Sequence, residues 1–134
     1  MLTQEEKLNL HQQILPLFSQ LDEALIELLQ GISKEAWQTP TTAGKWTVKD
    51  LAAHLLDGNI KGIATSRDAH FIQPSKLLNS YEAIVSFINE INHVWIKAAE
   101  RMSDKLLISL LSITGTQYQA HLATLNPIDE AVFA

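Results

Sequence analysis

Five side chains between residues 50 and 68 have the types and the spacing of a chemically competent face. On a helix, Asp50, His54, Asp57, Lys61 and Asp68 fall within roughly 60° of one another around the axis. Val48, Leu51, Ala52, Leu55, Leu56 and Ile63 form a broad apolar arc on the opposite side by the same geometry, with Leu51 about 60° from His54, so His54 borders the buried side. A carboxylate one turn from a histidine can accept one ring proton and leave the other nitrogen for a metal ion or a proton transfer. Asp50 and Asp57 could also serve as general bases beside it. The competing reading is structural: a surface histidine flanked by two acids gains local ion pairing of about 0.2–0.5 kcal/mol per pair and does nothing else. The remaining histidines, His11, His70, His93 and His121, each lie on or beside a different helix or loop. A site of His54 with His93 and His121 requires all three to face one cavity. The expected role of each is a boundary residue bonded to a carbonyl or to water, with His11 and His70 facing solvent and Asp68 beside His70.

The elements that must position these groups read as a row of helices. Leu10, Ile14, Leu17, Leu21, Leu25 and Leu28 advance by threes and fours, one face of an amphipathic helix. Pro16 lies inside it and predicts a kink or a restart, and Gly31 predicts its stop through a positive φ. Residues Ser33 to Trp46 contain Thr39-Pro40-Thr41-Thr42 and Gly44 and read as a connecting loop. Thr47, with Asp50 three residues on, has the form of a capping box opening a second helix to about Asp68. Ile72 to Asn79, with Pro74, form another loop. Ser80 begins a third helix with the apolar stripe Tyr81, Ile84, Val85, Ile88, Ile91, Trp95 and Ala98, and with Glu82 in its positive first turn. Ser103-Asp104 caps a fourth segment, Lys105 to about Leu125, which Thr114-Gly115 could bend and Asn126-Pro127 ends. Trp37, Trp46 and Trp95 read as large packing residues. The expected fold is all-α, an antiparallel four-helix bundle within one domain spanning residues 1–134.

Composition excludes several classes. The chain of 134 residues is 46% hydrophobic and 19% charged, enough apolar material for a core without disulfide or metal staples. It has no cysteine, hence no disulfide framework, zinc ribbon or thiol nucleophile. A formal charge of −5 argues against nucleic-acid binding, which needs basic surface to displace counterions. Glu5 and Glu6 are unlike a signal or transit peptide, and no uncharged run is apolar enough for a membrane span, so the expected location is cytoplasmic. There is no phosphate-binding glycine loop, no nucleophile elbow and no sustained heptad. Leu106 to Ile128 carries no Asp, Glu, Lys or Arg. A helix lacking a charged stripe needs cover on several sides, and the expectation is a homodimer formed through this segment. The alternative is an uncharged but wet face of Ser109, Ser112, Thr116, Gln119 and Thr124.

The run Trp37, Thr39-Pro40-Thr41, Gly44 and Trp46-Thr47-Val48-Lys49-Asp50-Leu51-Ala52-Ala53-His54-Leu55 resembles the N-terminal domain of mycothiol-dependent maleylpyruvate isomerases, members of the wider DinB-like bundle superfamily. Ser80-Tyr81-Glu82, Phe87 to Glu90, Trp95, Thr114-Gly115 and Leu125-Asn126-Pro127 carry the resemblance along most of the chain. It implies a bundle holding a divalent ion, zinc or nickel, on three histidines, with open positions for water or a thiol. His54 matches the first of these ligands. The other two belong to a final helix with a His-x-x-x-His-like pair, for which these residues show no match, and one imidazole does not hold a catalytic ion where three protein ligands are the rule. Arg67-Asp68 also matches, as a structural ion pair. Three readings follow: a metal-dependent thiol transferase or isomerase completed by a partner or by further chain; a shortened relative acting as a dimerising scaffold or small-molecule binding module; or a truncated reading frame. The single matching histidine and the uncharged last helix favour an incomplete or inactive bundle over a self-sufficient enzyme.

Overall fold

The computed structural model describes residues 1–131, and its regular structure is entirely helical. Helix α1 spans Gln4–Gly31, a one-turn α2 spans Lys34–Trp37, α3 spans Val48–Gly62, α4 spans Tyr81–Ala99 and α5 spans Asp104–Leu122. Each begins at a residue whose hydroxyl accepts from the first turn: Thr3, Ser33, Thr47, Ser80 and Ser103. At Thr3 and Thr47 the cap is reciprocal, because the Glu6 and Asp50 carboxylates reach back to the cap N–H. The first helix therefore starts well before Leu10, and the Thr3-x-x-Glu6 pattern is the signal for it.

Several local features depart from expectation. Helix α1 runs through Pro16 without a break. The missing N–H leaves the Gln12 carbonyl without its usual donor, but Gln12 is exposed and water can satisfy it. Gly31 stays helical, and Ile32 ends the helix in an extended conformation. The positive φ angles fall instead at Gly44 and Ala69. The loop after α1 is organised by α2, whose Trp37 is buried, and by the antiparallel bridge Pro40–Thr47. Helix α5 continues through Thr114-Gly115 without a break.

Contacts between helices set their directions. Asn59 Nδ2 donates to Thr114 Oγ1 and Ser66 Oγ bonds to His121 Nε2, each across 55 residues. A constant separation means that α3 and α5 run parallel. Helix α1 runs antiparallel to α5: Leu29 and Gln30 lie by Asp104 and Ile108, Asp22 by Gln119, and Ile14 and Phe18 by Leu122 and Leu125. Trp95 Nε1 donates to the Ala53 carbonyl, and Ala99 lies by Asp50, so α4 runs antiparallel to α3. Successive long helices thus alternate in direction. The main packing follows the order α1, α5, α3, α4, with α5 and α3 at the centre, and no packing of like extent joins α1 to α4.

This order explains the uncharged fourth long helix. Leu107, Leu111 and Gly115 are buried because α5 is covered within the chain by α1 and α3. The larger uncovered apolar surface lies on the outer helices. On α1, Leu10, Ile14, Leu17, Leu21 and Leu28 are exposed while Leu25, Ile26 and Leu29 turn inward. On α4, Tyr81, Ile84 and Ile88 of the expected stripe are exposed, and Ala99 rather than Ala98 is the buried residue. The core itself is concentrated where Leu29, Trp37, Ala52, Ala53, Leu56, Ala99, Leu107 and Leu111 meet.

Candidate functional site

Away from that core, α3 changes its winding. Residues Ile63–Arg67 form a π-helical turn, with Asp68 N–H donating to the Ile63 carbonyl five residues back. The His70 N–H then closes on Ala64, and Ala69 takes a positive φ of 52°. One extra residue in the turn rotates the side chains that follow, and such turns are frequent at functional sites. Here it presents Thr65 and Ser66 to a cavity of about 510 Å³ between the N-terminal half of α1, the π turn and the end of α5. Ile14, Leu15, Phe18, Leu122 and Leu125 supply its apolar wall, and His11, Thr65, Ser66 and Tyr118 its polar groups. Asp129 and Glu130 also line it.

Two contacts fix the polar side of the cavity. Ser66 Oγ and His121 Nε2 share a hydrogen bond of 2.7 Å. The Tyr118 ring lies over Gly62, where a Cβ would stand 2.7 Å from its Cε2 atom, so only glycine lets the ring sit there undisturbed. Deeper between α1 and α5, Asp22 accepts from Gln119 Nε2 and reaches into the space that a side chain at Gly115 would fill. Gly115 therefore serves close packing of a polar cluster that includes Asn59 and Thr114.

The residues singled out from the sequence are held apart by their own partners. The Asp50 carboxylate is engaged in the Thr47 cap. Asp57 is 8% exposed and pairs with Lys61 at 3.1 Å, facing α4 through a second cavity with Glu90 and Trp95. His54 is half-buried, as its place beside the apolar arc implies, and its ring packs on Trp46 at a centroid distance of 4.8 Å. Its Nδ1 atom is enclosed without a hydrogen-bond partner among the described residues. His93 and His70 are exposed, whereas His11 is half-buried at the cavity and not free in solvent. Asp68 pairs with Arg67 at 2.7 Å. That hydrogen bond holds the Asp68 carboxyl below its ordinary value, with His121 and His70 adding to the effect.

A divalent ion at His54 was tested against this donor set. Among the described residues, no group of three or more His, Asp or Glu is arranged to hold a metal. The neighbours of His54 do not supply the missing ligands, so these residues do not fit the three-ligand site that the resemblance implies. The cavity residues were missed for a plain reason. Ser66, Tyr118 and His121 are ordinary in type and come together only because α3 and α5 run parallel. The i, i+3 pair Tyr118 and His121 on an otherwise uncharged helix was the one available signal.

An all-helical array with a polar-sided cavity beside a π turn is what fold and geometry define. Its affiliation comes from comparison: residues 18–132 match the family model described as the mycothiol maleylpyruvate isomerase N-terminal domain, and the chain belongs to that family, within the DinB-like superfamily. No curated protein and no solved structure matched the chain. No helix among the described residues is long and apolar enough to cross a membrane.

Proposed function

We propose that this chain is a small-molecule binding module of its family, whose four long helices form the DinB-like bundle and whose ligand occupies the cavity beside the π turn. The observation that carries the reading is the make-up of that cavity. An apolar wall faces a few polar groups from three helices, the usual composition of a ligand site. About 510 Å³ suits a ligand with an aromatic or aliphatic body and one or two hydrogen-bonding groups. The test is a fluorescence titration with the uncharged dye N-phenyl-1-naphthylamine. Saturable binding near one dye per chain is expected, and it should be lost in Leu15→Trp, which fills the cavity, with the circular dichroism spectrum unchanged. Non-saturable binding, or binding indifferent to Leu15→Trp, overturns the reading.

A second reading is favoured by one observation, the enclosed and unpartnered Nδ1 of His54. In it His54 is a ligand to zinc or nickel, and the remaining donors come from outside the described residues or from a second chain. On this reading the chain alone is inactive in thiol chemistry. Elemental analysis of untagged protein decides: near-stoichiometric metal that His54→Ala removes supports it, and metal below about a tenth per chain after soaking retires it. The homodimer through Leu106 to Ile128 is likewise carried as a proposal, supported by exposed Leu106, Ile113 and Leu125. A purely monomeric sedimentation profile at micromolar protein contradicts it.

A further inference from the structure

We propose that Ser66 and His121 form a nucleophile–base pair for acyl transfer, acting on a neutral ester whose apolar part lies in the cavity. The inference rests on the cavity being a binding site. Four observations carry it. Ser66 Oγ and His121 Nε2 stand 2.7 Å apart, the reach required of a nucleophile and its base. Both side chains are half-buried, and Ser66 opens on the cavity from the π turn. Tyr118, one helical turn before His121, lines the same cavity, and its hydroxyl has no hydrogen-bond partner among the described residues. Finally, no Lys or Arg is found among the described lining residues, while Asp129 and Glu130 are. That charge disfavours an anionic substrate and suits an uncharged one.

The chemistry balances without an outside reagent other than water. With the ring proton on Nδ1, His121 Nε2 accepts the Ser66 proton as Oγ attacks the ester carbonyl carbon. The carbonyl electron pair moves to oxygen, where the Tyr118 hydroxyl can donate. Collapse breaks the bond to the alkoxide, which leaves as the alcohol with the proton from His121, and acyl-Ser66 remains. Water then gives a proton to His121, attacks the acyl carbon and releases the carboxylic acid, while the proton returns to Ser66 Oγ. The sum is ester plus water giving acid plus alcohol.

The experiment incubates the full chain with an alkyl fluorophosphonate and reads intact mass and peptide maps. One adduct per chain, located on Ser66, is expected. Hydrolysis of p-nitrophenyl butyrate should exceed the protein-free rate and vanish in Ser66→Ala. His121→Asn should slow labelling by roughly 10²–10⁴-fold, the range for loss of a general base. Both variants should stay folded and melt only a few degrees lower, the loss of one hydrogen bond, while labelling is abolished in Ser66→Ala and slowed in His121→Asn by far more than that loss of stability would give. No adduct on wild-type Ser66, or labelling at the same rate in His121→Asn, overturns the proposal. If the dye still binds in that case, the binding reading stands and only the nucleophile is wrong. If the dye does not bind the wild-type protein, it is the binding reading that fails.

Discussion

The two ends of the helical array are built from the same helices and filled in opposite ways. Where α1 and α4 end and α3 and α5 begin, Leu56 and Leu107 are fully buried, Trp37 closes the side, and Trp95 ties α4 to α3 through the Ala53 carbonyl. Lys49 adds a 2.6 Å bond to the Met102 carbonyl, fixing the turn between α4 and α5. At the other end the contacts between α3 and α5 become polar, Asn59 with Thr114 and then Ser66 with His121, and α1 is held off by a cavity. The difference teaches that the apolar end sets helix direction and register. The polar end is thereby free to keep polar groups facing a ligand-sized space, at a cost in packing that the first end can bear.

The largest effect that would break this comparison is on stability. Leu107→Ala is expected to cost about 2–5 kcal/mol, as for other fully buried leucines. Leu15→Ala, in the cavity wall, should cost about 1 kcal/mol, because its side chain is only partly buried. Equal losses in urea denaturation would mean that the two ends are not differently packed. Next, Thr47→Ala removes the cap of α3 and is expected to cost about 1 kcal/mol by the same measurement. Trp95→Phe keeps the ring and deletes the bond to Ala53, with a similar cost of about 1 kcal/mol. Gly62→Ala sharpens the comparison from the open side. Its methyl group should displace Tyr118 and weaken dye binding, with little change in melting temperature, since the ring can swing into the cavity.

The smallest effect concerns pH. The Glu6 carboxyl is lowered by its hydrogen bonds to the Thr3 backbone and side chain, and that of Asp68 by Arg67. A depressed folded-state value contributes stability above the ordinary carboxylate range, and that contribution is lost as pH falls through the folded value. Both groups are exposed, so acidification should fray the first turn of α1, seen as faster amide exchange at Glu6 and Lys7, while the apolar core stays folded.

Much of the fold was legible because it is written in local chemistry. The Thr47-Asp50 capping box, the Ser80 and Ser103 caps and the helical period of α3 each specify an element without reference to the rest of the chain. The π turn was not legible, since Ile63 to Arg67 continues a helical pattern and its extra residue is set by how α3 meets α5. The inward face of α1 was misread in part. Leu10, Ile14, Leu17 and Leu21 keep helical spacing, yet they stay exposed because α1 packs on one helix and lacks a partner in α4. For the site, periodicity correctly buries Ala52, Leu56 and Ile63 of the arc beside His54 and leaves Val48 and Leu51 half-buried, but Leu55, which shares the arc, is exposed because no neighbouring helix covers it. The partners of Asp50 and Asp57 are local, within four residues: the Thr47-Asp50 capping box was legible in the sequence, and Lys61 stands one helical turn after Asp57. The Ser66–His121 contact spans 55 residues and depends on helix register, which no local pattern encodes.

The most direct test of the binding-module account is an amide proton–nitrogen correlation spectrum followed during titration with the uncharged dye N-phenyl-1-naphthylamine. The account predicts saturable shifts confined to the end of the array that holds Ile14, Leu15, Phe18, Ser66, Tyr118 and Leu122. Signals from Ala52, Leu56 and Leu107 should stay still. Shifts centred on Leu21 and Leu28 of α1 or on the exposed face of α4, or none at saturating dye, would contradict it.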